Sequence, residues 1–456
     1  MRDIEDLAAF IVSLRPPDGA LAETLRLHVA DILGAWIAAH ATEEGQRLIA
    51  YRNDLAAATG VPNALDDIGV SCALARLSEV DDIHIGAMIT AGAVAVPAAF
   101  GMLGAVKGCE RRDLAPAILA GYEAMVRMGR TINGPENHFR GIWTSYFAAP
   151  FGAAAVAARM LTLNETQTAH ALALAVTMCA PSAGDQETPS TTRWWSFGQA
   201  VRNGISAALA TRSGFTADLN ILRSKLLPGV FGITPDLVAM SGASDQPPAL
   251  SDVSFKPWCA ARQTMPATQA LRELIADGVS PDDIASVQAY VVPLHLKMIG
   301  QPVEKVDRGS FMKSLSYQMA IAALAPQHRF DLRPAATMPT PEIRDFMARV
   351  TVIADQNLMM SYPKQWAARI VVETRDGARH ERAIVAIPGD PGRPIEKAQL
   401  ALKFEQVVSA AGVGGAKRLW EIALRLTDPD GGEALPFEPF SLRAEIGAGA
   451  TKQVGL

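Results

Sequence analysis

A compact group of ionisable residues precedes the most apolar stretch of this 456-residue chain. Asp81, Asp82 and His84 run directly into residues 85–106, which carry no charge. Ionisable side chains set against an apolar body either stay solvated at its edge or face a cavity, where pKa values shift and catalysis is found. On a helix, Asp81 and His84 would share a face and could couple. The alternative is a helix N-terminus whose acids favour the helix dipole.

A tyrosine near the middle of the chain is the second candidate. Residues 134–138 have turn chemistry, so we expect a loop that continues through Arg140. Tyr146 then precedes a predicted helix whose start is marked by Pro150. The phenol can act as a general acid or base if a nearby cation lowers its pKa. The alternative is a half-buried tyrosine that bonds to the backbone.

Four cations lie in segments that are rich in tryptophan or proline. Arg193 and Arg202 flank a Trp-Trp pair and the start of a predicted helix. Lys256 and Arg262 lie within residues 254–266, beside further tryptophan and proline. Guanidinium groups bind carboxylates bidentately, and a helix N-terminus adds N–H donors. These cations indicate an anion site; the alternative is a set of surface ion pairs that contribute little.

A lysine and a tyrosine farther along the chain complete the candidates. Lys313 and Tyr317 are four residues apart, which places them on one face of a predicted helix. The alternative is an exposed lysine beside a core tyrosine. No GxGxxG, Walker, GxSxG or HExxH motif is present, and the cysteines and histidines lack metal-ligand spacing. The sequence therefore predicts no metal site.

Composition and charge exclude some classes of partner. The net charge is −5 with acids and bases interspersed, and no basic run is typical of a nucleic-acid surface. Residues 85–106 are long enough to cross a bilayer, but Gly92, Pro97 and Gly101 interrupt them. We therefore expect two buried helices that meet near Pro97, and no membrane span. Scattered cysteines and an amphipathic first helix without a cleavage site favour a cytoplasmic protein.

The elements that must position these residues change character along the chain. Apolar residues recur at helical spacing up to about residue 265, and helical spacing returns from residue 397. Between these limits, strand-forming runs occur at residues 286–296, 348–355 and 368–388, the last folded back at Asp376-Gly377. The sequence predicts a mainly α protein in which a large all-helical domain is interrupted by a smaller α+β lid. The predicted domains are residues 1–265, 266–396 and 397–456, the last returning to the helical domain.

These segments, in this order, resemble the MmgE/PrpD family, which includes 2-methylcitrate dehydratase, cis-aconitate decarboxylase and iminodisuccinate epimerase. The segments that carry the resemblance are residues 30–40, 79–99, 145–161, 197–219, 255–267 and 314–324. The resemblance implies a large helical domain with an α+β lid, a site between them and a homodimer. It also implies small polycarboxylate substrates and no organic cofactor.

The departures from the family pattern bear on the reaction. Dehydratase and decarboxylase members resemble one another in carrying three histidines where this chain has Thr90, Trp143 and Met265. Glu79 stands where they have the first acid of a DxDD motif, and Arg202 stands where decarboxylase members have a lysine. The family positions that match are Asp81, Asp82, His84, Lys256, Arg262 and Tyr317.

These features predict a cofactor-independent epimerase that acts at a carbon α to a carboxylate, on a substrate that resembles iminodisuccinate. Tyr146 is expected to carry one proton, and Asp81 or Asp82 to orient His84 or an arginine. The expected second proton carrier is His84, Lys313 or Tyr317. The expected carboxylate binders are Arg140, Arg193, Arg202, Lys256 and Arg262. The alternatives are a lyase acting on a 2-methylcitrate-like or cis-aconitate-like tricarboxylate, and a carboxylate-binding protein without activity.

Overall fold

The first half of the chain is helical. The computed structural model describes residues 3–179, 184, 190–240, 247–301, 303, 307–333 and 338–428. Its first α-helices are α1 (Asp3–Ser13), α2 (Gly19–Ala39), α3 (Glu43–Thr59), α4 (Ala64–Leu77), α5 (Gly92–Ala105), α6 (Leu114–Thr131), α7 (Gly134–His138), α8 (Thr144–Met160), α9 (Glu165–Val176) and α10 (Thr192–Arg212). Among the described residues, no helix combines the length and apolarity needed to cross a membrane.

Small residues let the central helices approach one another closely. A Cβ on Gly69 of α4 would lie 2.6 Å from the carbonyl oxygen of Gly198 on α10. A Cβ on Gly204 of α10 would lie 2.1 Å from the carbonyl oxygen of Pro150 on α8. Because no side chain larger than hydrogen fits at either crossing, α10 packs tightly between α4 and α8.

The next part of the chain forms a small sheet flanked by helices. Its helices and strands are α11 (Met265–Ala276), β1 (Ile284–Val291), α12 (Pro293–Ile299), α13 (Arg308–Lys313), α14 (Leu315–Leu324), α15 (Pro341–Ala348), β2 (Val350–Ala354), β3 (Ala368–Thr374) and β4 (Arg379–Ile384). The strand order is β2-β1-β3-β4. β1 is parallel to β2, whereas the β1–β3 and β3–β4 pairs are antiparallel.

The central strand β1 sets the register of the sheet. Ala289 pairs with Val352 on one side and with Ile370 on the other. Ile370 is fully buried, as are Ile284 and Val287 of β1, and these side chains share one apolar cluster with α11 and α14. The mainly helical fold with a smaller α+β part is therefore confirmed.

The last described helices pack against the first part of the chain. They are α16 (Lys397–Ala410) and α17 (Ala416–Ala423). Phe404 of α16 faces Gly34 of α2, and Lys403 pairs with Asp31 of α2 at 2.6 Å. The chain thus returns to the helical core, although the predicted domain limits stay predictions. Residues 429–456, the end of the third predicted domain, lie outside the described residues.

Two local predictions need correction, and a third is confirmed. The strand predicted over residues 286–296 ends at Val291, because Pro293 takes the first turn of α12. Residues 92–105 form the single helix α5 with Pro97 inside it, so two helices do not meet there. The hairpin predicted at Asp376-Gly377 is confirmed between β3 and β4.

The predicted loop before Tyr146 also differs. Residues 134–138 form the short helix α7, which begins after Asn133 in a left-handed conformation with φ 48°. Helix α8 begins at Thr144, so Pro150 lies inside the helix and does not mark its start. Tyr146 therefore sits in the first turn of α8.

Candidate active site

A cavity opens between the helical part and the sheet-containing part of the chain. It is partly open to solvent, and its volume is about 60 Å³, which is less than most small-molecule sites enclose. The cations that line it are Arg76, Arg193, Lys256, Arg262 and Lys313. They come from α4, α10, the segment before α11, and α13, so the fold brings together segments that are far apart in sequence.

Glu79 is the one acid among the described lining residues, and cations surround it. Its Oε1 accepts a hydrogen bond from Arg193 Nη2 at 2.7 Å. Its Oε2 lies 3.0 Å from Arg76 Nη1 and 3.4 Å from Lys256 Nζ. Burial by itself raises the pKa of Glu79, but the three cations lower it by more. The Glu79 carboxylate is therefore ionised and holds three of the cavity's cations in place.

Asp81 lies next to the same cations but outside the cavity lining. It is fully buried, and its Oδ1 accepts from Arg76 Nη1 at 3.2 Å and from Lys256 Nζ at 3.4 Å. Burial raises the pKa of Asp81 to about 6, against the opposing charges of Arg76 and Lys256, and the Glu79 carboxylate adds to the shift. Asp81 thus orients two cavity cations and contributes less than a full negative charge near neutral pH.

The backbone that carries these acids is unusual. Glu79 has φ 58°, in the left-handed region that residues other than glycine seldom adopt. Lys256 Nζ donates to the carbonyl of Glu79 at 3.3 Å, and Lys403 Nζ donates to the carbonyl of Val80 at 3.3 Å. Lys403 is held in turn by Asp31. Two buried ammonium groups from distant parts of the chain therefore stabilise this conformation.

Arg262 offers unused donors to the cavity. Its side chain is 1% exposed, and its Nη2 donates to both carboxylate oxygens of Asp390 at 2.8 and 2.7 Å. Its Nε and Nη1 have no hydrogen-bond partner among the described residues. A buried N–H without an acceptor costs free energy, and a carboxylate in the cavity would remove that cost.

Tyr146 lies beside Arg193 in the same cavity. Its ring packs edge-on against Trp143 at 5.3 Å and Phe197 at 4.9 Å between centroids, and the residue is 2% exposed. Arg193 Nε lies 3.5 Å from the Tyr146 hydroxyl, and the guanidinium also stacks on Trp143 and on Trp194. A fixed cation beside a phenol stabilises the phenolate that forms when the hydroxyl gives up its proton.

His138 is a cavity residue that the sequence did not single out as catalytic. It ends α7, and its ring packs edge-on against Phe139 at 5.1 Å and Trp143 at 6.1 Å. Burial lowers the pKa of His138 to about 4, and the charges of Arg193 and Arg76 add to the shift. The imidazole is therefore neutral at pH 7. The one sequence feature that points to His138 is its position in a polar segment, eight residues before Tyr146.

Two sequence profiles match almost the whole described chain. The MmgE/PrpD N-terminal domain matches residues 5–231, and the MmgE/PrpD C-terminal domain matches residues 258–428. The chain belongs to the MmgE/PrpD family. Members of this family are generally enzymes. A search among curated proteins gives no match.

The MmgE/PrpD departures fall partly in the cavity. Thr90 and Trp143, at two of the expected histidine positions, both line it. Thr90 Oγ1 donates to Ser145 Oγ at 3.1 Å, so this position is occupied by a small hydrogen-bonded side chain. Met265, at the third position, is fully buried in the apolar cluster of the second part and does not line the cavity.

Asp82 points away from the cavity and binds helices together. Its Oδ2 accepts from His28 Nδ1 at 2.8 Å and from the Tyr122 hydroxyl, and its Oδ1 accepts from the Gly92 backbone N–H at 3.0 Å. A Cβ on Gly92 would lie 2.6 Å from Asp82 Oδ2, so only glycine fits there. Asp82 thus joins α2, α6 and the start of α5, and it orients neither His84 nor a described arginine.

His84 is also outside the cavity lining. Residues 81–84 are not helical, so Asp81 and His84 do not share the predicted helix face. The Nδ1 of His84 accepts the backbone N–H of Ala87 at 3.0 Å, and its Nε2 lies 3.1 Å from Asp252 Oδ2. Both ring nitrogens therefore have partners away from the cations of the cavity.

Lys313 and Tyr317 are separated by a break in the predicted helix. Lys313 ends α13, and Ser314, with ψ 114°, caps the separate helix α14 that holds Tyr317. Lys313 lines the cavity, whereas Tyr317 does not. The Tyr317 ring stacks on Phe311 with centroids 4.7 Å apart. Burial raises the pKa of the Tyr317 hydroxyl above its usual value. The two residues are not neighbours on one helical face.

Two predicted carboxylate binders do not reach the cavity. Arg202 pairs with Asp66 at 2.9 Å, and its side chain is 40% exposed. Arg140 donates to Asn137 Oδ1 at 2.6 Å and to the carbonyl of Gly232 at 3.2 Å. Within the described part of the chain, no group of three or more histidines, cysteines or acids is arranged to hold a metal ion.

Proposed function

We propose that this protein is a cofactor-independent epimerase of a small polycarboxylate, which removes and returns a proton at a carbon α to a carboxylate. One observation carries the proposal: a phenol and a guanidinium, Tyr146 and Arg193, lie 3.5 Å apart in a buried cavity that other cations also line. Proton transfer and charge stabilisation, the two requirements of this chemistry, are thereby available at one place.

The charge of the cavity suits a substrate with several carboxylates. Five cations and one acid line it, so the lining has a formal excess of four positive charges. Asp81 and Asp390, which hold some of these cations from behind, reduce the excess. An iminodisuccinate-like substrate, with two succinyl arms joined through nitrogen, brings four carboxylates to this field. Because an α-proton beside a carboxylate is weakly acidic, stabilising the enediolate is the largest demand on the site.

Arg262 is the best-prepared carboxylate binder. Its orientation is fixed by the bidentate contact with Asp390, which leaves Nε and Nη1 for a ligand. Arg193 and Lys256 add positive charge on the side where Glu79 lies. We assign these three cations to the substrate carboxylates and the enediolate, and Tyr146 to proton transfer.

The test is proton exchange from iminodisuccinate in deuterated water, followed by proton NMR. An epimerase replaces the α-proton by deuterium and interconverts stereoisomers without producing an alkene. A vinyl signal would instead identify a lyase, since the same cations suit a tricarboxylate. Calorimetric binding without conversion over days would identify a binding protein. Either of these two results overturns the proposal.

A further inference from the structure

Inversion at a carbon requires a second proton carrier, on the face opposite to Tyr146. Of the three partners that the sequence suggested, His84 and Tyr317 do not line the cavity. Lys313 does line it, as does the imidazole of His138. The choice therefore lies between these two residues.

We propose that His138 is the second proton carrier, so that Tyr146 and His138 serve opposite faces of the reacting carbon. This inference rests on the proposed epimerase function. His138 and Tyr146 belong to the consecutive helices α7 and α8, and both line the one cavity. The ring of Trp143 contacts both rings, with centroids 6.1 Å from His138 and 5.3 Å from Tyr146. Trp143 thus packs against both candidate proton carriers, and both side chains border the space that a substrate would occupy.

The resting protonation states favour His138 over Lys313 as the base. A lysine ammonium must first lose a proton before it can accept one, whereas a neutral imidazole accepts a proton directly. Burial lowers the pKa of His138 to about 4, so the ring is neutral at pH 7. A neutral base and a protonated phenol form a complementary pair at the start of the reaction.

The proton balance of one turnover closes within the site. The α C–H bond breaks, its electron pair enters the enediolate, and the proton goes to a ring nitrogen of His138. The O–H bond of Tyr146 then breaks, and its proton forms the new C–H bond on the other face with the electron pair of the enediolate. The products are an imidazolium and a phenolate, and Arg193 lies next to the phenolate oxygen. The reverse turnover, or exchange with solvent, restores both groups.

Substrate binding makes His138 a stronger base. After burial, the charges of Arg193 and Arg76 are what lower its pKa. Carboxylates that bind to these guanidinium groups offset that repulsion, so the imidazole gains basicity when substrate is present. The base is thus weak in the empty site and stronger in the occupied one, as a general base in this cavity requires.

The experiment measures deuterium exchange separately at the R and S centres of iminodisuccinate stereoisomers. With a carrier on each face, His138→Gln loses exchange at one configuration by at least ~100-fold and keeps it at the other, while inversion stops. Tyr146→Phe gives the opposite selectivity. Lys313→Met gives a loss without selectivity between the two configurations, because its charge serves the enediolate in both directions. His328→Gln, at an exposed histidine outside the cavity, leaves exchange unchanged.

The outcomes separate this inference from the proposed function. If wild-type protein exchanges neither centre, the epimerase proposal fails and this inference fails with it. If wild-type protein exchanges both centres and His138→Gln still does so at similar rates, only the role of His138 is overturned. Selective loss in Lys313→Met in place of His138→Gln overturns it as well. Circular dichroism checks the fold, and His138→Asn supplies a second variant with the same expected selectivity.

Discussion

At the scale of single residues, Glu79 pairs with three cations of the cavity from a strained backbone conformation. Glu79 makes contacts of 2.7 and 3.0 Å with two guanidinium groups, and Lys256 bonds both its side chain and its carbonyl. Without this acid, Arg76 and Arg193 would repel each other across a buried space. The arrangement keeps the cations at fixed positions before any ligand arrives, which lowers the reorganisation that binding requires.

Removal of one hydroxyl tests the role of Tyr146. Tyr146→Phe should lower turnover at least ~100-fold and leave substrate affinity near normal, because the ring packing stays and only the proton carrier is lost. Steady-state kinetics of the interconversion of stereoisomers measure both quantities. The matched control is Tyr290→Phe, at a β1 tyrosine whose hydroxyl donates to Gln288 outside the cavity. An unchanged rate in Tyr146→Phe would remove this residue from the mechanism.

Residue chemistry predicted part of the site. Arg193, Lys256 and Arg262 lie in segments rich in tryptophan and proline, a pattern that predicts an anion site, and all three line the cavity. His138 is not predictable as a cavity residue, because a lone histidine in a turn-like segment gives no spacing signal. Arg202 lies nine residues after Arg193 on α10, so the two side chains point from different faces of the helix. Arg202 therefore pairs with Asp66 and does not reach the cavity.

At the scale of elements, residues 81–84 are extended, whereas their spacing predicts a helix. Ile83 pairs with Ser254, and His84 with Ile89, as isolated β-bridges, so successive side chains point in different directions. Asp81 therefore faces the cations while Asp82 faces His28. Local spacing cannot reveal this, because the bridge partner of Ile83 is far away in sequence.

The helix α16 supports the cavity from behind, through Lys403. Lys403→Met should lower the free energy of unfolding by about 3–5 kcal/mol at pH 7, since it leaves Asp31 buried without a partner. Burial raises the pKa of Asp31, and loss of Lys403 removes the charge that opposes this shift. A folded-state pKa above the unfolded value makes stability fall as pH rises, so the deficit should shrink in acid.

Urea denaturation at pH 7 and pH 5 measures both effects. Lys417→Met, at an exposed lysine of α17, should change stability by no more than about 0.5 kcal/mol. The double variant Asp31→Asn with Lys403→Met should recover much of the loss, because the buried charge is gone. A Lys403→Met deficit that is small, or that grows in acid, would contradict the role assigned to this pair.

At the scale of the whole molecule, the half-buried His138 and the buried His295 contribute to the response to acid. Burial lowers the pKa of His138 to about 4 and that of His295 to about 3. Each therefore binds a proton in the unfolded chain before it does so in the folded protein, and stability falls as pH drops below about 6.5. At pH 5 each costs about 2 kcal/mol. Asp81, whose pKa is raised to about 6, has the opposite sign and returns about 1 kcal/mol.

Chemical denaturation at pH 7 and pH 5 measures the change in stability, and the contribution of a single histidine follows from a variant that lacks it. His295→Leu should make stability at pH 5, relative to pH 7, more favourable by about 2 kcal/mol than in the wild type, because the variant cannot titrate and its ring site lies among Phe139, Tyr362 and Trp366. The same pH dependence in His295→Leu and the wild type would show that His295 titrates alike in the folded and unfolded protein.

The overall architecture was predictable because helical and strand periodicities occupy separate parts of the chain. The position of the cavity between those parts followed only from the family resemblance, since periodicity says which face of an element is buried and not what it is buried against. The homodimer stays a prediction. So does the cytoplasmic location.

The cations that line the cavity come from both halves of the chain. Arg76 and Arg193 belong to the segment that matches the N-terminal family profile, whereas Arg262 and Lys313 belong to the C-terminal one. Recombination that exchanged one segment between relatives would pair half of the proposed anion site of one protein with half of that of another. New substrate preferences in this architecture should therefore arise through substitutions that accumulate in both halves of the same gene, and not through the exchange of modules.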